Sequence, residues 1–505
     1  MHLVFLNQYY PPDAAPTGVM LAAVAEELAA QGHEVTVICA EGGYANIQHQ
    51  TLNIEPRRVD AGSVSAVCGE EDPPSAIRVL RIGATRFGRG TFLGKVADYL
   101  SYYVGVAWKL MFLKPRPERI VALTTPPYLS VLARVFSKLR GGDHAHWVMD
   151  LYPDVMVAHG MLREEALPHR LLAGLARWGF GGKRCAALMT LGPDMAERIA
   201  AMVGTDLSIS PTSSPNAGPV SAVSIFSWAF RFTGVHGRHS ADQGDGCVNS
   251  SLPGKSVSRM CKSGPTWIPL WSDAKEEHPT SKDGCAEHRP SMIHDPRSLR
   301  IARGWRDDEL VVMYSGNMGL GHRFGEILEV IGRDGFSLRP CDLPSTIHDP
   351  RSPARYVFFG GGKRRGEIEA FVAEHPDAPV ELHDYAAADL LGLHLRSADV
   401  HLASLAAEWT GTMVPSKLQG IFQAARPVIF IGDAASSIGM WVAESGGGWL
   451  VAPGDVGGLE RAIDEARDPQ VRESRGRAAK AFAEANFDKT TNVRRVAEIL
   501  VDALI

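Results

Sequence analysis

Short continuous apolar runs alternate along this chain with longer segments whose apolar positions recur every three or four residues. "HLVFLN" is the first run, and the turn-rich "QYYPPDAAPTG" follows it. "VMLAAVAEELAAQGH" then sets Met20, Val24 and Leu28 on one side with Glu26 and Glu27 off it, a helix that Gly32 ends. "EVTVICA" is the next strand, and "IRVLRIGA", a helical region near 91–113 and "RIVALTTPP" continue the series. "SVLARVFSKLR", "HWVMDLYPD" and "ALMTLGPDMAERIAAMV" extend it. Apolar runs without polar alternation, separated by amphipathic helices, predict parallel sheets covered on both faces.

From about Thr205 to Arg300 this order dissolves into Ser-, Gly- and Pro-rich sequence with no sustained period. It reads as a mostly irregular insertion, with "TWIPLW" (266–271) as one anchored strand inside it. "IHDPRS" occurs at 293–298 and again at 347–352, too short for a repeat architecture and expected in loops. Order returns at "ELVVMYSGNMG", and a second strand–helix series runs through "ARYVFFGGGKRRGEIEAFVAEH", "ADVHLASL", "RPVIFIGD" and "GGWLVAPGD". A last helix from "PQVRESRGRAAKAFAEANF" into "KTTNVRRVAEILVDALI" closes the chain. The expected organisation is a first Rossmann-like domain over 1–204, the insertion over 205–298 and a second domain over 299–485. The terminal helix, 486–505, rejoins the first domain. Two such doubly wound domains leave a central cleft between the C-terminal edges of their sheets, where these folds place ligands.

The composition narrows the function classes. The 505 residues are 45% hydrophobic and 22% charged with a net charge of -5, a globular balance without the basic excess of a nucleic-acid binder. Seven scattered cysteines without a CxxC predict reduced thiols in a cytosolic setting. "MHLVFLNQYYPP" lacks a basic n-region, so no signal peptide is expected. "YLSYYVGVAWKLMFL" (99–113) is shorter than a spanning helix and is broken by Lys109. Between 86 and 119, however, Arg86, Arg89, Lys95, Lys109, Lys114, Arg116 and Arg119 interleave with Tyr99, Trp108 and other aromatics. Such a helix suits a membrane interface, and the alternative is a core helix with basic ends.

Three stretches carry candidate chemistry. In "MYSGNMGLGHRFGEILE" a strand runs into Ser315-Gly316-Asn317 before a helix near Phe324, an arrangement whose backbone N–H groups can hold phosphate or simply make a turn. In "EWTGTMVPSKLQG" (408–420) Pro415 fits a first helical turn, and Ser416 and Lys417 follow at the positive end of the helix dipole. Leu418, Ile421, Phe422 and Ala425 would face the sheet and turn Lys417 away from the core. A lysine opposing the dipole is a poor structural choice and a good anion ligand. "HWVMDLYPD" leaves Asp150 and Asp154 at the end of a buried strand, where Asp150 could orient a sugar hydroxyl or take its proton, or make an Asx turn. "FFGGGKRRGEIE" (358–369) is not GxGxxG and reads as a structural turn. His236, His239, Cys247, Cys261, Cys285 and His288 lack zinc-ligand spacing, and no DxD follows a strand to hold a metal–diphosphate.

Taken in order, "NQYYPPDAAPTG", "TTPP", "MDLYPD", "IPLWSD", "YSGNMG" and "EWTGTMVPSKLQGIFQAARPVIFIG" resemble the GT4 family of retaining glycosyltransferases of GT-B fold, with the WbuB-like polysaccharide-assembly group the nearest likeness. The insertions near 205–262 and 278–295 depart from it. The resemblance implies transfer of a sugar, of N-acetylated hexosamine type, from a UDP-sugar without a metal or other cofactor. The acceptor it implies is polyprenyl-diphosphate-linked, at a cytoplasmic enzyme peripherally held on the inner membrane surface. By position it implies that Gly18 approaches the donor phosphates, Gly316 forms the phosphate loop, and Asn317 and His322 stand where many members have Arg and Lys. Asp384 and Tyr385 fall near the nucleobase, and Glu408 and Gly411 match the first glutamate and the glycine of the E-x7-E element. Its second glutamate is Gly420 here, and the family's HD-type loop reads Met149-Asp150. Lys417 would then supply the fixed cation that Asn317 and His322 do not. A UDP-N-acetylhexosamine 2-epimerase or hydrolase on the same fold, and a non-catalytic sugar-nucleotide-binding protein, are the competing readings.

Overall fold

The computed structural model describes residues 1–13, 15–41, 77–83, 85, 92–204, 266–269, 295–336, 353–387 and 390–502. The first sheet opens on β1 (His2–Leu6), every residue of which is buried, followed by α1 (Pro16–Ala30) and β2 (Glu34–Ala40). Next come β3 (Ile77–Ile82), α2 (Phe92–Phe112), β4 (Arg119–Ala122), α3 (Leu129–Arg140) and β5 (Asp143–Trp147). The short α4 (Asp154–Ala158), α5 (Leu167–Phe180), β6 (Cys185–Thr190) and α6 (Pro193–Val203) follow, and β7 (Thr266–Trp267) adds to the edge. The strands lie parallel in the order β3-β2-β1-β4-β5-β6-β7.

The second unit starts at α7 (Pro296–Ala302), just ahead of the expected boundary. It continues through β8 (Leu310–Ser315), α8 (Gly325–Phe336), β9 (Ala354–Phe359), α9 (Arg365–Glu374) and β10 (Val380–His383). Then come α10 (Leu391–Ser397), β11 (Val400–Ser404), α11 (Lys417–Gln423), β12 (Val428–Ile431), α12 (Ser437–Ser445), β13 (Gly448–Val451) and α13 (Val456–Ala466). This sheet is also parallel, in the order β10-β9-β8-β11-β12-β13. Two α/β units with wholly parallel sheets match the expected doubly wound pair, because runs such as "VVMY" and "VIFI" are buried from both sides.

The closing helix is two helices, α14 (Pro469–Asn486) and α15 (Lys489–Asp502). Phe487 is fully buried between them, and the Asp488 carboxylate accepts from Thr491 N at 2.7 Å to start the second. α15 packs on α1, and the Arg119 guanidinium donates to the Leu500 carbonyl, tying the end of the chain to the first sheet. Arg119 is therefore a fully buried strand residue beside Asp143 (3.6 Å), not a basic group of an interfacial helix. The expected strand 266–271 is reduced to Thr266–Trp267. Ile268 N still donates to Thr190 O at 2.9 Å, but Pro269 has no N–H to extend the ladder.

In the first IHDPRS copy, Asp295 caps α7 by accepting from Arg297 N and Ser298 N. The second copy, residues 205–265 and the insertion's His and Cys residues lie outside the described residues. One hydrophobic cluster runs through both units, joining Trp147 and Leu151 to Leu418, Phe430 and Trp441.

Candidate active site

Lys417 is the first residue of α11, and its side chain turns back across the end of β8. The ammonium lies 3.9 Å from the centre of the Tyr314 ring and donates to three acceptors: the Tyr314 hydroxyl, Asn317 O (3.1 Å) and His322 Nε2 (3.2 Å). Tyr314 in turn donates to Asn317 O at 2.8 Å. Part of the residue stays exposed, yet burial lowers its ammonium well below the ordinary lysine range, and no carboxylate among the described residues offsets this. A cation satisfied by neutral acceptors alone gains by meeting an anion.

Two sequence expectations change here. Ser416 is the cap of α11 and Pro415 precedes it, so the proline is not in the first helical turn. Leu418, Ile421 and Phe422 are buried as expected, but Lys417 folds inward over Gly316 rather than away from the protein, and Ala425 lies past the helix at φ 53°. Gly316 itself has φ +127°, and a Cβ there would lie 2.8 Å from Lys417 Cε, so the path of the lysine requires a glycine.

His322 is a neutral partner, not a spare cation. Its Nδ1 lies 2.7 Å from Ser404 O and must carry the proton donated to that carbonyl, leaving Nε2 as the acceptor for Lys417. Burial, the Lys417 charge and Arg364 outweigh that bond and hold the imidazole down to about 3. Lys417 is thus the group of this cluster that an arriving anion would favour as a cation, and His322 is its orienting acceptor.

The Gly316 loop rests on the second glycine stretch. Gly316 N donates to Phe359 O (2.9 Å) and Met318 N to Gly361 O (2.7 Å), and a Cβ on Gly360 would strike Gly316 O at 2.1 Å. The turn at 360–362 is structural, as read from sequence, and its work is to let the Gly316 loop approach. Tyr385, 48% exposed, lies against Gly361 and donates to its carbonyl at 3.2 Å, while Asp384 is exposed and pairs with Arg365 at 3.0 Å. These groups form one surface at the C-terminal edge of the second sheet.

The loop before α11 is gripped from the first unit. Glu408 lies exposed in the single turn Ala407–Trp409, and Ser416 is exposed at the loop's far end. Between them, Gly411 has φ +73° and packs against Asp194 O and Arg198 Cδ, both at 3.2 Å from an added Cβ. Its N–H donates to Asp194 Oδ2 at 3.1 Å, and Arg198 bridges Asp154 (2.8 Å) to Thr410 O (3.3 Å). Asp150 forms an isolated antiparallel bridge with Met413, and Leu151 N donates to Thr412 O at 2.8 Å. The His159 ring meets Trp409 edge-on at 4.6 Å. The Asp194 carboxylate also accepts from Ser437 N (3.1 Å) and Ser437 Oγ at the start of α12. Asp194, Arg198, Ser437 and Tyr314 were not singled out from sequence. The only local sign was an acid in the first turn of a helix.

Asp150 ends the β5 segment, its N–H held by Thr124 Oγ1 at 3.2 Å, with Tyr128, Tyr152 and Phe180 lining the same cavity. Burial pushes its carboxyl up to about 6. A carboxylate there can take a proton near neutral pH, which fits the acid–base alternative left open by the sequence. The folded value lies above the ordinary 3.8, so this group's contribution to stability is full below about pH 4 and is lost as pH rises through 6. A shift of that size corresponds to about 3 kcal/mol at the alkaline end. Asp150→Asn is accordingly expected to raise the unfolding temperature at pH 8, with the gap closing towards pH 4, while turnover is lost. Thermal unfolding across pH checks it, and equal stability of the two proteins at pH 8 would refute it.

Gly18 lies in the first turn of α1, 3.1 Å (from an added Cβ) from the Tyr9 backbone, and packs the "QYYPP" loop against that helix. The described contacts bring together Lys417, Gly316, Asn317 and His322, and separately Asp150 with the Gly411 loop; none of them joins Gly18 to either group. Among the described residues, His144, His146 and Cys185 place ligand atoms within 4.8 Å of one another. Burial keeps both imidazoles neutral, but Arg134 acts on both, and Lys138 and Arg184 add positive charge at His144. That charge opposes a dication, and the trio reads as packed core. Cys39 and Cys185 are buried, and neither is in a disulfide among the described residues.

No family model matches the sequence. The chain is 21% identical over 503 residues to the Escherichia coli (strain K12) protein named as a colanic acid biosynthesis glycosyl transferase, WcaI, covering 98% of each. The fold superposes on WaaG, described as a glycosyltransferase involved in lipopolysaccharide biosynthesis, with a TM-score of 0.55 at 15% identity over 99% of this chain and 100% of that one. Anabaena HepE, solved in complex with UDP, gives 0.56 at 12% identity over 99% and 100%. The chain thus has the GT-B architecture expected from its sequence, with two parallel-sheet Rossmann-like units.

Proposed function

We propose that this chain is a retaining, metal-independent glycosyltransferase of cell-surface polysaccharide assembly. It moves a sugar of N-acetylated hexosamine type from a UDP-sugar to a polyprenyl-diphosphate-linked saccharide. The observation that carries the reading is the Lys417 ammonium, held over Gly316 by neutral acceptors at the edge of the second sheet. A preorganised cation there stabilises the charge that develops on a leaving diphosphate. The relatives named for polysaccharide and lipopolysaccharide synthesis, and the neighbour solved with UDP, support the same reading.

In this reading the diphosphate lies against Gly316, Asn317 and Lys417, with Ser416 beside it and Gly18 facing it from the first unit. Tyr385 and Asp384 flank the nucleobase, and Glu408 contacts hydroxyls of the donor. The acceptor hydroxyl meets Asp150, which the Met413 bridge fixes relative to Lys417 four residues on. Among the described residues no helix is long and apolar enough to cross a membrane. The exposed aromatic α2 supports peripheral attachment to the cytoplasmic membrane surface.

A panel of UDP-sugars offered with radiolabelled undecaprenyl-diphosphate-sugar tests the proposal. Transfer with retained anomeric configuration, undiminished by EDTA, is the expected result. Turnover of UDP-GlcNAc without acceptor would favour an epimerase or hydrolase, and donor binding without transfer would favour a binding protein.

A further inference from the structure

Two exposed apolar stripes stand on one outer layer of the first sheet. On α2, Leu100, Val104, Trp108 and Phe112 recur every fourth residue, each more than 60% exposed. On α5, Leu167, Leu171 and Leu175 repeat the spacing and Trp178 follows three residues on, the first two 71% and 65% exposed. α3 packs between these helices and exposes Leu139 (63%) on its own outer side. Right-handed crossovers from β3 to β4, β4 to β5 and β5 to β6 put all three helices on the same sheet face. Their unburied sides therefore point outward together. Leucines at helical spacing ordinarily mark a core face, but these point to solvent. Contiguous exposure of this kind marks an interaction surface.

The charges around the stripes indicate what covers them. Arg78, Lys109 and Lys114 line a cavity of about 280 Å³ at the Trp108–Phe112 end, with no carboxylate in its lining. Part of that charge closes the helix end, since Arg78 donates to Lys114 O and Arg140 to Met111 O. Lys114 enters that closure only through its backbone carbonyl, and Lys109 makes neither of these bonds. At the other stripe, the Arg134 guanidinium lies 4.4 Å from the Trp178 ring and Lys138 Nζ 5.6 Å from it. Exposed Arg170 and Arg177 flank the leucines of α5. Apolar stripes bordered by aromatic rings and cations fit the boundary between headgroups and acyl chains of an anionic bilayer.

We infer that α2, α3 and α5 form one docking face for an anionic phospholipid bilayer, with α5 seated in the interface beside α2. The inference rests on the membrane attachment proposed for α2 and adds a second helix to it. Both helices start from the C-terminal edge of the sheet, where Asp150 lies, so the Leu100 and Leu167 ends of the stripes are turned towards that edge and the Lys109–Lys114 cavity towards the opposite one.

Flotation of the full-length protein with phosphatidylcholine vesicles, with and without phosphatidylglycerol, tests the assignment. The protein is expected to float with the anionic vesicles, and Leu171→Glu/Leu175→Glu to lower the bound fraction about tenfold or more, as Val104→Glu/Trp108→Glu does. Both pairs are exposed, and thermal unfolding confirms the fold of each variant. Undiminished binding of the α5 variant, with loss in the α2 variant, overturns the role of α5 and leaves that of α2. No binding by the unaltered protein overturns both, while transfer to a detergent-dispersed acceptor still reports on the glycosyltransferase reading. A dimer by light scattering that the α5 substitutions make monomeric would assign the face to a second copy and also overturn the proposal.

Discussion

Replacing Lys417 by alanine is expected to lower turnover about a hundredfold or more with the fold intact, the usual scale for loss of a preorganised charge at a developing anion. The expectation rests on how the ammonium is held. Tyr314, Asn317 O and His322 Nε2 orient it without neutralising it, and burial already opposes its charge. Binding of a diphosphate reverses that opposition, so the charge does more in the complex than in the free protein. His322 cannot substitute, because Ser404 fixes its tautomer and its own value is held to about 3. Lys417→Met separates charge from packing. It keeps the chain across Gly316 and the Tyr314 ring but removes the buried cation, so the unfolding temperature should not fall while turnover does. Initial rates at saturating substrates, UDP affinity by calorimetry and thermal unfolding together decide it. Turnover within a few-fold of the unaltered protein would remove Lys417 from the chemistry.

The sheets were legible in the sequence because parallel strands covered on both faces must be apolar throughout, as in "VVMYS" and "RPVIFIG". The candidate loop was legible for a local reason too, since a glycine after β8 and a lysine at the start of α11 follow from strand–turn–helix spacing. The direction of Lys417 was not. It depends on the Tyr314 ring and on the missing Cβ of Gly316, about a hundred residues upstream in sequence. The charge state of His322 was equally hidden, because Ser404 O sets it from the end of a different strand. Arg119 looked like one more cation of a basic segment until α15 came back to cover it. The α5 stripe has a spacing that core and surface helices share, and only the neighbours of the helix decide between them. Side chains whose partners are distant in sequence account for what the pattern missed.

Asp194 shows the largest such effect, and Asp194→Ala is expected to destabilise the protein and loosen the cleft together. Its carboxylate accepts from Met195 N (2.7 Å), Gly411 N, Ser437 N and Ser437 Oγ, and the residue is only 7% exposed. Truncation leaves buried donors without an acceptor at about 1–3 kcal/mol each, so a loss on the order of 4 kcal/mol is expected. Three of those four bonds come from the second unit, so the damage falls on the join between units. Gly411 sits in the loop that bridges Asp150 and precedes Lys417, and its release should raise KM and lower kcat. Asp194→Asn tests the bond pattern, because its NH2 would face the N–H groups of Gly411 and Ser437 and recover little. A purely local role, an acid in the first turn of α6, predicts instead a loss of about 0.3–1 kcal/mol with kinetics unchanged. Thermal unfolding, steady-state kinetics and the radius of gyration from solution scattering distinguish the two. If Asp194→Ala unfolds within 1 kcal/mol of the unaltered protein and keeps its KM, the carboxylate acts only within its own helix and the join between the units rests on the other contacts across it, among them Arg198, the Leu151–Thr412 bond and the apolar cluster.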